Sequence, residues 1–193
     1  MNDLKNIVDE TPFQTAGPFL HIGCLPNVIN INGIFKEDLG LSPFANYNID
    51  DFISITGSVF DGNGNALNDI MLETWQSDEK GNYLPDNGFA RFVPDIATKK
   101  YSLSTIKPGF VRNINGIIQC PHISFSISSR GINMNLNTRM YFEGDNLFED
   151  PLLSMIKKSK IDISSLIAGK IDDTSFIFNI FLQGDKETIF LDV

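Results

Sequence analysis

From His122 to Ser128 apolar and polar residues alternate without a break, with Ile123, Phe125 and Ile127 on one side and His122, Ser124, Ser126 and Ser128 on the other. Successive side chains of a β-strand point to opposite faces, so a run of this period buries one face and leaves the other in polar surroundings. A helix, with its longer period, would scatter the same apolar residues around its circumference. His122 and Ser124 therefore share a face. A His-x-His pair on such a strand would aim two imidazoles at one metal; His-x-Ser supplies only one.

The same alternation recurs along the chain. Phe52 to Phe60 sets Ile53, Ile55 and Val59 against Ser54, Thr56 and Ser58, and Asp61-Gly62-Asn63-Gly64-Asn65 follows with residues that tolerate positive φ. A β-hairpin is predicted there, with Ile70 to Trp75 as its return strand. The Asn/Gly stretch is not a phosphate cradle, because no helical pattern follows it. Tyr101 to Ile106 and Thr138 to Phe142 read as further strands. Phe176 to Leu182 and Thr188 to Val193 read as a closing pair joined by a turn at Gln183-Gly184-Asp185-Lys186-Glu187. The segment after Trp75, through Phe92, is turn-rich. One helix is expected, where Asp150 caps Pro151 and the run LLSMIKKSK. His21 to Asp51 has weak periodicity and reads as a meandering connection, in which His21 is expected as a surface or hydrogen-bonded residue. The class that follows is all-β: a β-sandwich of mainly antiparallel strands with long loops and little helix. Residues 1–193 are read as one domain, with an N-terminal arm at about 1–20.

Charge narrows the partners. A formal net charge of -9 lacks the basic footprint that neutralises phosphates, so nucleic acid is not an expected partner. No segment approaches the ~20 apolar residues of a membrane-spanning helix. The first residues show no cationic segment followed by a long apolar run, and the two cysteines, Cys24 and Cys120, lie far apart. Both features fit reduced thiols in the cytoplasm, with a bridge between the two left open.

Several stretches together resemble the intradiol ring-cleavage dioxygenases. They are TPFQTAGPF at 11–19, TGSVFDGNGNALND at 56–69, ETWQSDEKGNY at 73–83, the Lys107-Pro108-Gly109 turn, PHISFSI, SRGIN and TRMYFEGD. Within that family the likeness is to the alpha-type chains, and it covers most of the sequence. The resemblance implies a β-sandwich. It also implies a role as the alpha-type, non-iron-binding subunit of an enzyme that opens 3,4-dihydroxybenzoate with O2 to 3-carboxy-cis,cis-muconate. The Fe(3+) would be held by a beta-type catalytic partner in a hetero-oligomer.

Residue by residue, the resemblance gives Tyr83 and His122 as the remaining matches to the family's ligand positions, two tyrosines and two histidines. Phe110, Val111 and Arg112 stand where the second tyrosine is expected, Ser124 replaces the second histidine, and Gln119 replaces an arginine. No catalytic and no metal-binding residue is thus expected in this chain, and Tyr83 is read as a packed or hydrogen-bonded phenol. Thr15, Gly17, Pro18 and Arg130 match the alpha-type motif that borders the substrate. From the residues alone, Arg130 reads as a solvated turn arginine and the Pro/Gly segment as an ordinary lead-in. A guanidinium suits a carboxylate ligand, which gives Arg130 a chemical reason to be there. Two other classes remain open: a non-catalytic binding or scaffold sandwich domain, and a self-sufficient metalloenzyme with rearranged ligands.

Overall fold

The computed structural model describes residues 15–17, 19–112, 115–147 and 150–192. In chain order its elements are α1 (Leu20–Cys24), β1 (Phe52–Gly57), β2 (Val59–Phe60), β3 (Ile70–Trp75), β4 (Phe89–Phe92), β5 (Tyr101–Ile106) and β6 (Val111–Arg112). There follow β7 (Ile118–Gln119), β8 (His122–Ser129), β9 (Leu136–Phe142), α2 (Pro151–Lys158), β10 (Ile167–Lys170), β11 (Ser175–Ile177) and β12 (Ile180–Phe181). Eight strands form one sheet in the order β4-β3-β8-β9-β10-β11-β1-β5, most of them antiparallel. β10 is the corner: its first residues pair with β9 (Ile167 with Tyr141) and its last with β11 (Lys170 with Phe176). The sheet thereby folds back on itself, and the two edge strands approach until the Phe92 and Tyr101 rings lie 5.6 Å apart.

Between the two halves lies the main core. It takes Ile53 and Ile55 from β1, Ile70 and Leu72 from β3, and Ile123, Phe125 and Ile127 from β8. The period-two apolar face of each strand is what fills it, as burial of one side of a pleated strand requires. The expected β-sandwich class is therefore what the chain adopts.

α2 starts as its sequence predicts. The Asp150 carboxylate accepts the Leu152 and Leu153 amide N–H groups at 3.0 and 3.1 Å, and Pro151 occupies the first turn, where its missing N–H costs nothing. The same carboxylate accepts the Cys120 N–H at 2.9 Å and the Tyr141 hydroxyl at 3.3 Å, so one buried side chain ties the helix to the entry of β8 and to β9.

Two expected pairings are corrected. The return strand β3 does not pair with β1: β1 lies between β5 and β11, and β3 between β4 and β8. The turn itself forms, with Asp61 N–H donating to Asn65 O at 3.0 Å, but it closes no more than the Phe60–Ala66 bridge and a Leu67 N–H bond to Val59 O at 2.9 Å, both on β2. β1 has already stopped at Gly57, where a β-carbon would stand 1.9 Å from the Phe178 carbonyl oxygen, and the chain then crosses to the other half of the sheet. The expected closing strand pair is also absent. Phe176 to Leu182 is split into β11 and β12; after it Thr188 N–H donates to Phe181 O of β12 at 2.9 Å, across the expected turn, but the chain then leaves β12 and Leu191 bonds instead to Asn137 O of β9 at 2.7 Å; Val193 is outside the described residues. β4 arises inside the stretch read as turns, because four residues show too little alternation to stand out.

Candidate functional site

The outer face of β8 carries two separate groups of the residues singled out by sequence, one at each end of the strand. At its start, His122 is 1% exposed and its Nδ1–H donates to the Cys120 carbonyl at 2.7 Å. A carbonyl can only accept, so Nε2 carries the lone pair, and it is buried without a hydrogen-bond partner. Burial, and secondarily the Arg139 charge, hold the His122 pKa down at about 4, against the opposing pull of the Cys120 hydrogen bond and Asp150.

The register fixes what stands beside it. Ser124, where the second imidazole would be, pairs with Arg139 of β9 on one side and with Trp75 of β3 on the other. Tyr83 stacks on Trp75, ring centroids 6.2 Å apart and planes within 4°. The turn that presents Tyr83 packs against the one that follows Lys107-Pro108: Gly109 N–H donates to Asp78 O at 2.8 Å. Gly81, at φ +84°, lies so close to the Phe110 carbonyl oxygen that a β-carbon would stand 1.9 Å from it. The fold therefore brings Tyr83, the turn at 109–112 and, through Trp75, Ser124 of β8 into one neighbourhood.

A metal does not fit there. Of the family's four ligand positions only Tyr83 and His122 offer a donor of the expected kind, the neighbouring Tyr141 hydroxyl is committed to Asp150, and burial raises the Tyr83 pKa, which disfavours a phenolate. The Arg139 guanidinium acts electrostatically on Tyr83, His122 and Tyr141 and lies 3.5 Å from Gln119 Oε1. A ferric ion would have to share this space with a fixed positive charge while lacking half its ligands. Nowhere among the described residues do three or more His, Cys, Asp or Glu side chains cluster as a metal site would require. Arg139 was not singled out from the sequence. Only the β8–β9 register shows that it faces Ser124.

At the other end of β8, Thr15, Gly17 and Arg130 come together. Thr15 Oγ1 accepts the Gly131 N–H at 2.7 Å and donates to the Ser129 carbonyl at 3.4 Å, which pins the segment before α1 to the SRGIN turn. Arg130 is exposed and its Nε and one terminal nitrogen both bind Asp69 Oδ2, at 2.6 and 2.5 Å. A small cavity of about 210 Å³ lies between Gly17, His21, Asp69 and Arg130. His21 also donates from Nε2 to Ile70 O at 3.4 Å. Pro18 lies outside the described residues. Asp69, a residue the sequence did not mark, is the ion-pair partner that orients Arg130.

The family model described as Dioxygenase matches residues 31–184. The chain belongs to the dioxygenase family. This dioxygenase chain is 34% identical to the protocatechuate 3,4-dioxygenase alpha chain of Pseudomonas putida, over 96% of its own length and 98% of that protein's. It is also 33% identical to the protocatechuate 3,4-dioxygenase beta chain of Burkholderia cepacia, over 70% of its length and 66% of that protein's. Among solved structures, the dioxygenase domain of a dioxygenase carbohydrate-binding protein fusion from Streptomyces sp. SirexAA-E superposes with a TM-score of 0.55 at 21% identity, covering 91% of this chain and 99% of that one. That likeness concerns the fold.

Proposed function

We propose that this chain is the alpha-type subunit of an intradiol dioxygenase that opens 3,4-dihydroxybenzoate (protocatechuate) with O2 to 3-carboxy-cis,cis-muconate. The Fe(3+) is held by a beta-type partner and not by this chain. The observation that carries the proposal is the state of the ligand positions: two are substituted, and Arg139 stands among them. Alpha-type and beta-type relatives exist as separate chains, which supports a hetero-oligomer.

Thr15, Gly17, Pro18 and Arg130 then form the wall that this subunit lends to the partner's site. Arg130 already has one carboxylate, Asp69, on two of its donors, and a ring carboxylate would use the remaining N–H groups. Support for a partner surface comes from one loop, where Ile31, Ile34, Phe35, Leu39 and Leu41 are all exposed. Such a run is costly to leave in water and suits an interface that buries about 2,000 Å² or more. Neither Cys24 nor the buried Cys120 is in a disulfide, which supports a cytoplasmic setting; among the described residues no helix is long and apolar enough to cross a membrane. The two buried clusters adjoin along β8 and β9, which supports one domain.

The test is co-expression with a beta-type chain, followed by iron and activity assays on the purified pair. Arg130→Ala in the assembled enzyme should raise KM for the acid by about 5- to 150-fold, the equivalent of roughly 1–3 kcal/mol, with iron content unchanged. An unaltered preference for protocatechuate over catechol would make Arg130 a surface arginine. A chain that stays monomeric beside its partner at micromolar concentration would remove the subunit role.

A further inference from the structure

A groove of about 450 Å³ runs along the outer face of β3, β8 and β9, distinct from the Arg130 corner. Its floor is a ladder of cross-strand rows. One row is Trp75, Ser124 and Arg139; the next is Glu73, Ser126 and Asn137. Apolar walls come from Trp75, Phe89 and Leu191, with the Trp75 and Phe89 rings 6.3 Å apart and tilted by 50°.

The charges in the groove are unequal. Glu73 is already neutralised, because Arg91 binds its Oε1 through Nε at 2.7 Å and through a terminal nitrogen at 2.6 Å. Arg139 bonds to Gln119 and Tyr141 and makes no ion pair among the described residues; the nearby Asp150 carboxylate takes its hydrogen bond from Tyr141 instead. The Ser124 and Ser126 hydroxyls line the floor and form no hydrogen bond among the described residues. An unneutralised guanidinium, two free hydroxyls and an aromatic wall are the complement of a planar anion with an aromatic body. The volume lies within the range of small-ligand pockets, where an apolar lining with a few convergent polar groups sets orientation.

We propose that this groove is a second, metal-free binding site for a small aromatic carboxylate, whose carboxylate sits on Arg139 and the Ser124 hydroxyl and whose ring lies against Trp75 and Phe89. The fork of the guanidinium matches the two carboxylate oxygens, and Ser124 adds a third donor from the neighbouring strand. Ser124 is small enough to leave this space open.

Trp75 is the one tryptophan of the chain, so its emission reports on the groove directly. The full chain is titrated with benzoate and, separately, with benzyl alcohol, which keeps the ring and lacks the charge. Benzoate should change Trp75 emission saturably, and benzyl alcohol should bind about tenfold more weakly or worse, the worth of a charge-assisted hydrogen bond. Arg139→Gln should weaken benzoate to a similar extent, and Arg139→Lys should recover part of it. Ser126→Phe, which fills the floor without touching the charge, should also abolish the response. Circular dichroism on each variant separates lost binding from lost fold. The site is overturned if benzoate gives no saturable change, if benzyl alcohol binds as well as benzoate, or if a folded Arg139→Gln chain keeps the native affinity. The role proposed for the Arg130 corner stands or falls separately, on the kinetics of the assembled enzyme.

Discussion

Replacing His122 by Phe should remove a large part of the acid sensitivity of this chain. In the unfolded state the imidazole titrates near its ordinary value of 6.5, whereas in the fold burial and the neighbouring Arg139 hold it at about 4. Between those values the unfolded chain takes up a proton that the folded chain refuses. Stability is therefore lost as pH falls from about 6.5 towards 4, and the loss levels off below that. A shift of this size corresponds to roughly 2 kcal/mol by about pH 5 and to a ceiling of about 3 kcal/mol. The structural cause is plain: Nδ1–H is already committed to the Cys120 carbonyl at 2.7 Å, and a proton on Nε2 would create a buried cation with no acceptor. Urea unfolding of the native chain and of His122→Phe, each at about pH 7 and about pH 5, measures the effect as a difference of differences. The lost Cys120 hydrogen bond lowers the variant at both pH values and cancels, as do the carboxylates and His21. Native chain and variant should differ in their pH 7 to pH 5 loss by about 2 kcal/mol. Equal losses in the two proteins would show that His122 is protonated freely in the fold, and that Nε2 has access to water.

Asp150→Ala removes the cap of α2 and leaves the Cys120 N–H and Tyr141 hydroxyl buried without their acceptor; about 2–4 kcal/mol should be lost, seen as a melting temperature lower by roughly 5–15 °C. A decrease of only a degree or two would mean that water replaces the carboxylate. Ser124→His places a second imidazole directly across from Arg139, and the chain purified alone should still bind no stoichiometric iron, because the second phenolate is missing and the guanidinium remains. Visible tyrosinate-to-iron absorption at one iron per chain would refute this.

The period-two runs at 122–128, 52–60, 70–75 and 101–106 were enough to establish a strand-built core and which side of each strand enters it, because the alternation of side chains is a property of the extended backbone itself. The Asp150-Pro151 start of α2 was equally legible, since a cap acts within a few residues of its own position. Pairing between strands was not. The 61–65 turn looks the same whether the chain returns beside β1 or crosses to β4 and β8, and the Phe178 backbone that closes off β1 at Gly57 comes from more than a hundred residues away. Arg139 and Asp69 illustrate the same division at the sites. Each is an ordinary charged residue in its own segment, and each acquires its role from a neighbour on another strand or turn: Arg139 from Ser124 across the β8–β9 ladder, Asp69 from Arg130 beyond the end of β8. The sequence by itself determined the strand content and the facing of each strand, both of which are local. The tertiary structure alone decided the register that sets a guanidinium among the ligand positions, because register depends on which distant strand is present to pair.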